Sequence, residues 1–259
     1  MLNYTIYENS TTDQWVTFVH GAGGSSSIWF KQIRDFKKEF NLLLVDLRGH
    51  GASKAETHNN ERYTFSFLAH DILEVLDAVK IKKSHFVGIS LGTILVRQLA
   101  EEHPNRVQSM VLGGAILKLN FRSQVLIKLG DFFKYVLPYL ILYRFFAFVI
   151  MPKKNHRQSR TLFVNEAKKM QQKEFLKWFK LTAEVNSLLK YFRETEVPIE
   201  TLYIMGEQDY MFLPSVVNVV KNHSKSAKLI VIAQSGHVVN VEQAVLFNAS
   251  VLSFLGNLK

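Results

Sequence analysis

The sequence predicts an α/β chain, a doubly wound and mostly parallel sheet with a helical insertion inside it. Three observations lead there. Short apolar runs closed by glycine or polar residues alternate with amphipathic stretches along most of the chain, and strands that alternate with helices build a parallel sheet covered on both faces. One such run, Phe86-Val87-Gly88-Ile89, ends in Ser90-Leu91-Gly92-Thr93 and passes directly into a helical pattern. Residues 115–193 then interrupt the alternation with apolar positions at helical spacing and carry all of the chain's excess positive charge.

Taken in order, residues 2–8 and 15–20 read as strands, the second being Trp15-Val16-Thr17-Phe18-Val19-His20. The loop that follows, His20-Gly21-Ala22-Gly23-Gly24-Ser25-Ser26-Ser27, is dense enough in glycine for its backbone N–H groups to approach a ligand atom, and it feeds a helix expected over 28–39. A phosphate cradle is the rival reading. It lacks the Lys-Ser/Thr pair of a P-loop and the GxGxxG spacing, so an oxyanion loop is preferred. Residues 41–46 form a buried strand, followed by the turn Leu47-Arg48-Gly49-His50-Gly51-Ala52-Ser53. Asp46, Arg48 and His50 could be taken for a charge relay, but charged groups in a glycine turn more often tie the loop together locally. A helix over 65–79 places Phe65, Leu68, Ile72, Val75, Leu76 and Val79 on one face. Beyond the serine helix and Pro104, residues 107–113 form the next strand.

Within 115–193 the positions Val125, Leu126, Leu129, Phe132, Phe133, Val136, Leu137, Leu140 and Ile141 recur at helical spacing, with Pro138 expected to kink or divide the helix. Phe175, Trp178, Phe179, Thr182, Val185, Leu188, Leu189 and Phe192 repeat the pattern. Most of these side chains are expected to bury against the core and some to line an apolar channel. Strands resume over 199–206, whose following loop carries Glu207 and Asp209, and over 228–232, whose loop carries His237. A helix over 241–258 closes the chain.

Ser90 is the candidate nucleophile. Gly88 and Gly92 leave room for a sharp strand-to-helix turn that lifts its hydroxyl clear, and the helix N-terminus behind it lies where negative charge would develop. The backbone N–H groups of Leu91, the residue after the serine, and of Ala22 in the glycine loop are the candidate oxyanion donors.

These residues resemble those of the α/β-hydrolase superfamily, in particular its small cap-bearing esterases, lactonases and C–C hydrolases. The resemblance rests on His20-Gly21-Ala22-Gly23-Gly24, Asp46-Leu47-Arg48-Gly49-His50-Gly51-Ala52-Ser53, Gly88-Ile89-Ser90-Leu91-Gly92, Gly206-Glu207-Gln208-Asp209 and Gly236-His237, which together span nearly the whole chain. Thr93 departs from it, since many relatives place a smaller residue there. The resemblance implies that 115–193 is a lid, or cap, inserted in a core of 1–114 and 194–259. Its Gly-x-x-Asp spacing selects Asp209 over Glu207 as the acid, and its Ser, Asp, His order selects His237 from the nine histidines. His20 is the main rival and is read as shaping the oxyanion loop; His70, His85, His103 and His223 are read as structural or solvated. A Ser90, Asp209, His237 set implies a serine hydrolase, carboxylesterase-like or lipase-like, acting on a small or medium acyl ester with no cofactor or metal. C–C bond, lactone or thioester hydrolysis are alternatives, as is a signalling or partner-binding protein that keeps the triad for a ligand. Dehalogenases and epoxide hydrolases of this fold use an aspartate nucleophile, against which serine at position 90 argues.

Composition bounds the rest. The 259 residues contain no cysteine, which excludes disulfides and thiolate metal sites. The N-terminus lacks a basic region followed by a long apolar core, so a cytoplasmic address is expected. Arg144 interrupts the most lipid-like stretch, and no uncharged run reaches the ~20 residues a bilayer requires. Of the net +10, residues 115–193 contribute 16 Lys+Arg against 4 Asp+Glu. Without a recognisable nucleic-acid module, no nucleic-acid partner is expected. Weak peripheral contact with anionic membrane through this basic segment is an expectation, and a small apolar acyl compound is the expected substrate.

Overall fold

The structure is a computed structural model that describes residues 1–53, 62–223 and 225–258. Its strands are β1 (Tyr4–Tyr7), β2 (Trp15–Val19), β3 (Asn41–Val45), β4 (Ser84–Ile89), β5 (Val107–Gly113), β6 (Thr201–Gly206) and β7 (Ala227–Ile232). They form one sheet in the order β1-β3-β2-β4-β5-β6-β7, antiparallel only at the β1–β3 edge. The period of two along each strand sends alternate side chains to two separate cores. Leu42 and Leu44 of β3 join Val16, Phe18, Trp29 and Phe36 on one side. Leu43 and Val45 face the other, with Phe86, Ile94 and Leu95. Burial on both faces is why these strands read as unbroken apolar runs.

The helices on the faces include α1 (Ile33–Phe36), α2 (Phe65–Ala78) and α3 (Leu91–Glu102). Thr64 caps α2 by accepting from the Phe67 N–H, and its predicted stripe of Phe65, Leu68, Ile72, Val75 and Leu76 is buried. The helix expected over 28–39 is instead a 3₁₀ turn at Ser26–Trp29 followed by the single turn of α1. Around this break Gln32 is fully buried, its amide donating to Asn240 O and Asn248 Oδ1 at 2.9 Å each, while Trp29 and Phe36 still reach the core.

Between β5 and β6 lie α4 (Phe121–Phe133), α5 (Tyr139–Ile150), α6 (Arg157–Ala167), α7 (Gln172–Lys180) and α8 (Thr182–Glu194). Pro138 divides α4 from α5, since proline has no N–H to give and its φ of −53° with ψ of 130° stops the helix. The apolar positions expected to bury divide between two faces, within α4 as well as across the break. Leu126 is buried, whereas Val125, Leu129, Phe132, Val136 and Ile141 are exposed. α9 (Leu213–Asn222) follows β6. The closing helix expected over 241–258 is two pieces, α10 (Val239–Glu242) and α11 (Ala244–Gly256). Among the described residues, no helix is long and apolar enough to cross a membrane.

Candidate active site

Ser90 sits between β4 and α3 with φ 55° and ψ −122°, a conformation an L-residue adopts only where its surroundings force it. The surroundings are visible. A Cβ on Gly92 would come within 2.3 Å of Val19 O, and one on Gly88 within 2.9 Å of the Gly92 backbone, so α3 starts too close to β2 and β4 for any other residue at either position. Thr93, the departure noted in the sequence, is accommodated by use of its hydroxyl, which donates to Ser90 O at 2.6 Å.

His237, in the loop after β7, directs Nε2 at Ser90 Oγ at 2.8 Å. Its Nδ1 lies 2.8 Å from Asp209 Oδ2, in the loop after β6. A carboxylate can only accept, so Nδ1–H donates to Asp209 and Nε2 is left to accept the Ser90 hydroxyl proton. Asp209 and His237 are 1% and 4% exposed, which shields the bond between them from competing water. Glu207, its sequence neighbour, faces solvent, and its carboxylate accepts from the Gln234 N–H at 3.3 Å. The structure thus brings Ser90, Asp209 and His237 together in one hydrogen-bonded line and leaves Glu207 outside it.

Ala22 lies beside this line. A Cβ on its neighbour Gly21 would meet Ser90 Cβ at 3.0 Å. Among the described residues, no acceptor meets the Ala22 or Leu91 N–H, so both remain available to a negative oxygen. The glycine loop is held in shape by two histidines. His20 Nδ1 donates to Gly21 O while Nε2 accepts from the Leu47 N–H at 2.9 Å. His50 Nε2 accepts from the Gly23 N–H at 2.8 Å and its Nδ1 donates to Arg48 O. Burial lowers the pKa of His20 and pushes that of His50 down to about 3, so both stay neutral acceptors at neutral pH. Asp46 and Arg48 are tied up locally. The Asp46 carboxylate accepts from the Ser26 and Ala52 N–H groups, and Arg48 pairs with Asp71.

Above Ser90, the helices between β5 and β6 enclose a cavity of about 240 Å³. Its walls include Ile116, Leu126, Ile127, Phe146, Trp178 and Phe179. A second, smaller lobe of about 70 Å³ reaches from Ser90 past His237 to Ser159 and Glu166. Among the described lining residues of both lobes, none is Lys or Arg. These helices stand on polar contacts that the sequence did not announce. Trp178 Nε1 donates to Arg48 O at 3.0 Å, the Tyr63 hydroxyl donates to Glu174 at 2.7 Å, and Ser25 donates to Glu166 at 2.8 Å. His156, fully buried ahead of α6, reaches Gln208 at 3.0 Å and lies against Gly236. It therefore touches the immediate neighbours of both Asp209 and His237. The sequence shows only a histidine just ahead of an insertion helix, and nothing in the spacing separates it from the other eight.

The model of the alpha/beta hydrolase fold matches residues 14–244. The chain belongs to that family. Among curated relatives it is 26% identical to the uncharacterized carboxylesterase nap of Bacillus subtilis, over 92% of this chain and 78% of that protein. It is 30% identical to 3-oxoadipate enol-lactonase 1 of Acinetobacter baylyi over 40% of this chain, a match that spans only 38% of that protein's length. The match to RutD of Caulobacter vibrioides, named as a carbamate hydrolase, is 35% identical and spans 34% of its length. In fold, the chain is similar to the enol-lactonase from Burkholderia xenovorans LB400, with a TM-score of 0.81 at 20% identity, covering 98% of this chain and 96% of that one.

Proposed function

We propose that this α/β-hydrolase-fold chain is a serine hydrolase that cleaves neutral esters of small or medium acyl chains. The observation that carries the reading is the line Ser90, His237, Asp209 with 2.8 Å at each link, lying at the floor of an apolar cavity. In the first half-reaction Ser90 Oγ bonds to the carbonyl carbon while its proton passes to His237 Nε2, and Asp209 stabilises the imidazolium through Nδ1–H. The N–H groups of Ala22 and Leu91 hold the oxygen that becomes negative. The C–O bond to the alcohol then breaks, and the alcohol leaves with the proton from His237. Water repeats the attack on the acyl-serine, gives its proton to His237, and the acid departs as Ser90 recovers its hydrogen.

The lining favours a neutral substrate. One relative is named as a 3-oxoadipate enol-lactonase, and the carboxylate of such a compound calls for a buried cation. Here the smaller lobe presents Glu166 and the larger one almost only carbon. A volume near 240 Å³ lies below the usual range for drug-sized ligands, which suits an acyl chain of moderate length. Labelling with a fluorophosphonate, followed by a chain-length series of p-nitrophenyl esters, tests the proposal. Labelling at Ser90 that Ser90→Ala abolishes, with an optimum among medium chains, is the expected result. Labelling that persists in the Ser90→Ala protein overturns it.

A further inference from the structure

The outer surface of α4 and α5 is unlike the rest of the molecule. At about 100° per residue, Phe121, Val125, Leu129 and Phe132 of α4 fall within an arc of about 80°. All four are exposed, Phe121 and Phe132 at 79% and 75%. Arg122 and Lys128 emerge at the two edges of that arc, and both are exposed. On α5 the exposed residues Ile141, Phe145 and Phe148 share a face, with exposed Arg144 beside it. Tyr135 and Val136, in the turn between the helices, are exposed as well. Large aromatic side chains in water on this scale mark a surface that works against something else.

We propose that this face docks on the surface of anionic lipid bilayers. An apolar stripe edged by arginine and lysine matches an interface in which rings enter the acyl boundary while cationic ends reach back to the headgroups. Charge separates this occupant from a second copy of the chain. Across residues 121–150 the charged side chains are Arg122, Lys128, Lys134 and Arg144 against Asp131 alone, so self-association through this face would press like charge against like, whereas an anionic leaflet attracts it. The inner sides of the same helices contribute Leu126, Ile127 and Phe146 to the cavity above Ser90. A docked chain would therefore hold its cavity roof against the phase in which apolar esters dissolve. The inference concerns where the molecule sits and does not depend on the acyl-transfer reading.

The full chain is tested by co-sedimentation, without any substrate, using phosphatidylcholine vesicles with and without phosphatidylglycerol at low and high salt. Expected is binding to the anionic vesicles at least about tenfold tighter than to neutral ones, weakening as salt shortens the Debye length. The triple variant Phe121→Ser, Phe132→Ser, Phe148→Ser should lose binding at an unchanged Tm, and Arg122→Glu with Lys128→Glu should erase the preference for anionic lipid. No binding to either vesicle, equal binding to both, or full binding by the triple serine variant overturns the proposal. So does a concentration-dependent dimer, seen by sedimentation velocity without lipid, that the triple serine variant abolishes.

Discussion

The loops at the carboxyl ends of the strands and the helices between β5 and β6 are built on opposite plans. In the loops, polar side chains are buried and each is fixed by a partner: His237 by Asp209, His50 by Gly23 and Arg48, Asp46 by two backbone N–H groups. In the helices, the inner side is a hydrocarbon-walled cavity and the outer side carries exposed aromatic residues. Directional bonds define a single geometry, while contacts between apolar side chains tolerate changes of shape and length. Under the proposed hydrolase reading, the difference assigns reactivity to the loops and selection among substrates to the helices.

The sharpest way to break this division is to alter the loops and watch the substrate profile. His237→Ala and Asp209→Asn should each lower kcat/KM by about three to four orders of magnitude, by the same factor for short and medium esters. A loss that depends on chain length would mean that the loops also select. On the helical side, Ile127→Trp should fill the cavity and reduce the preference for an octanoyl over an acetyl ester by about tenfold, leaving acetyl hydrolysis within about threefold of the parent. An equal loss for both esters would mean that the helices set reactivity too.

Stability against pH probes the loops by another route. The folded-state pKa of His50 is lowered to about 3, so between that value and about 6.5 the unfolded chain binds the extra proton. Its contribution is complete above pH 6.5 and falls as pH drops, by at most about 1.4 kcal/mol per unit for this one group. His20 is shifted in the same direction by burial. Urea denaturation from pH 7 to 4 should show this decline, and His50→Gln, which keeps an acceptor for Gly23, should flatten it; an unchanged slope would assign the acid sensitivity elsewhere. The smallest effect is expected at Glu207→Gln. That side chain is outside the hydrogen-bonded line, and activity should stay within about twofold when assayed beside Asp209→Asn.

The sequence by itself determined the strand and helix order, the elbow at Ser90 and the family, because those features are local. Burial on both faces writes residues 42–45 and 86–89 as apolar runs closed by polar residues or glycine, and a serine forced to φ 55° goes with the glycines printed on either side of it. It also singled out Asp209 and His237 as residues of loops that follow strand ends, and the structure brings both into one hydrogen-bonded line with Ser90. The tertiary structure alone decided what those loops rest on and which way the helical stripes face. Nothing local tells His156 that it will meet Gln208 and Gly236, more than fifty residues downstream. Periodicity reports that Phe121, Val125, Leu129 and Phe132 share a side of α4, but a helix has no inside until its neighbours are placed. Here the neighbours cover Leu126 and leave that aromatic side in water.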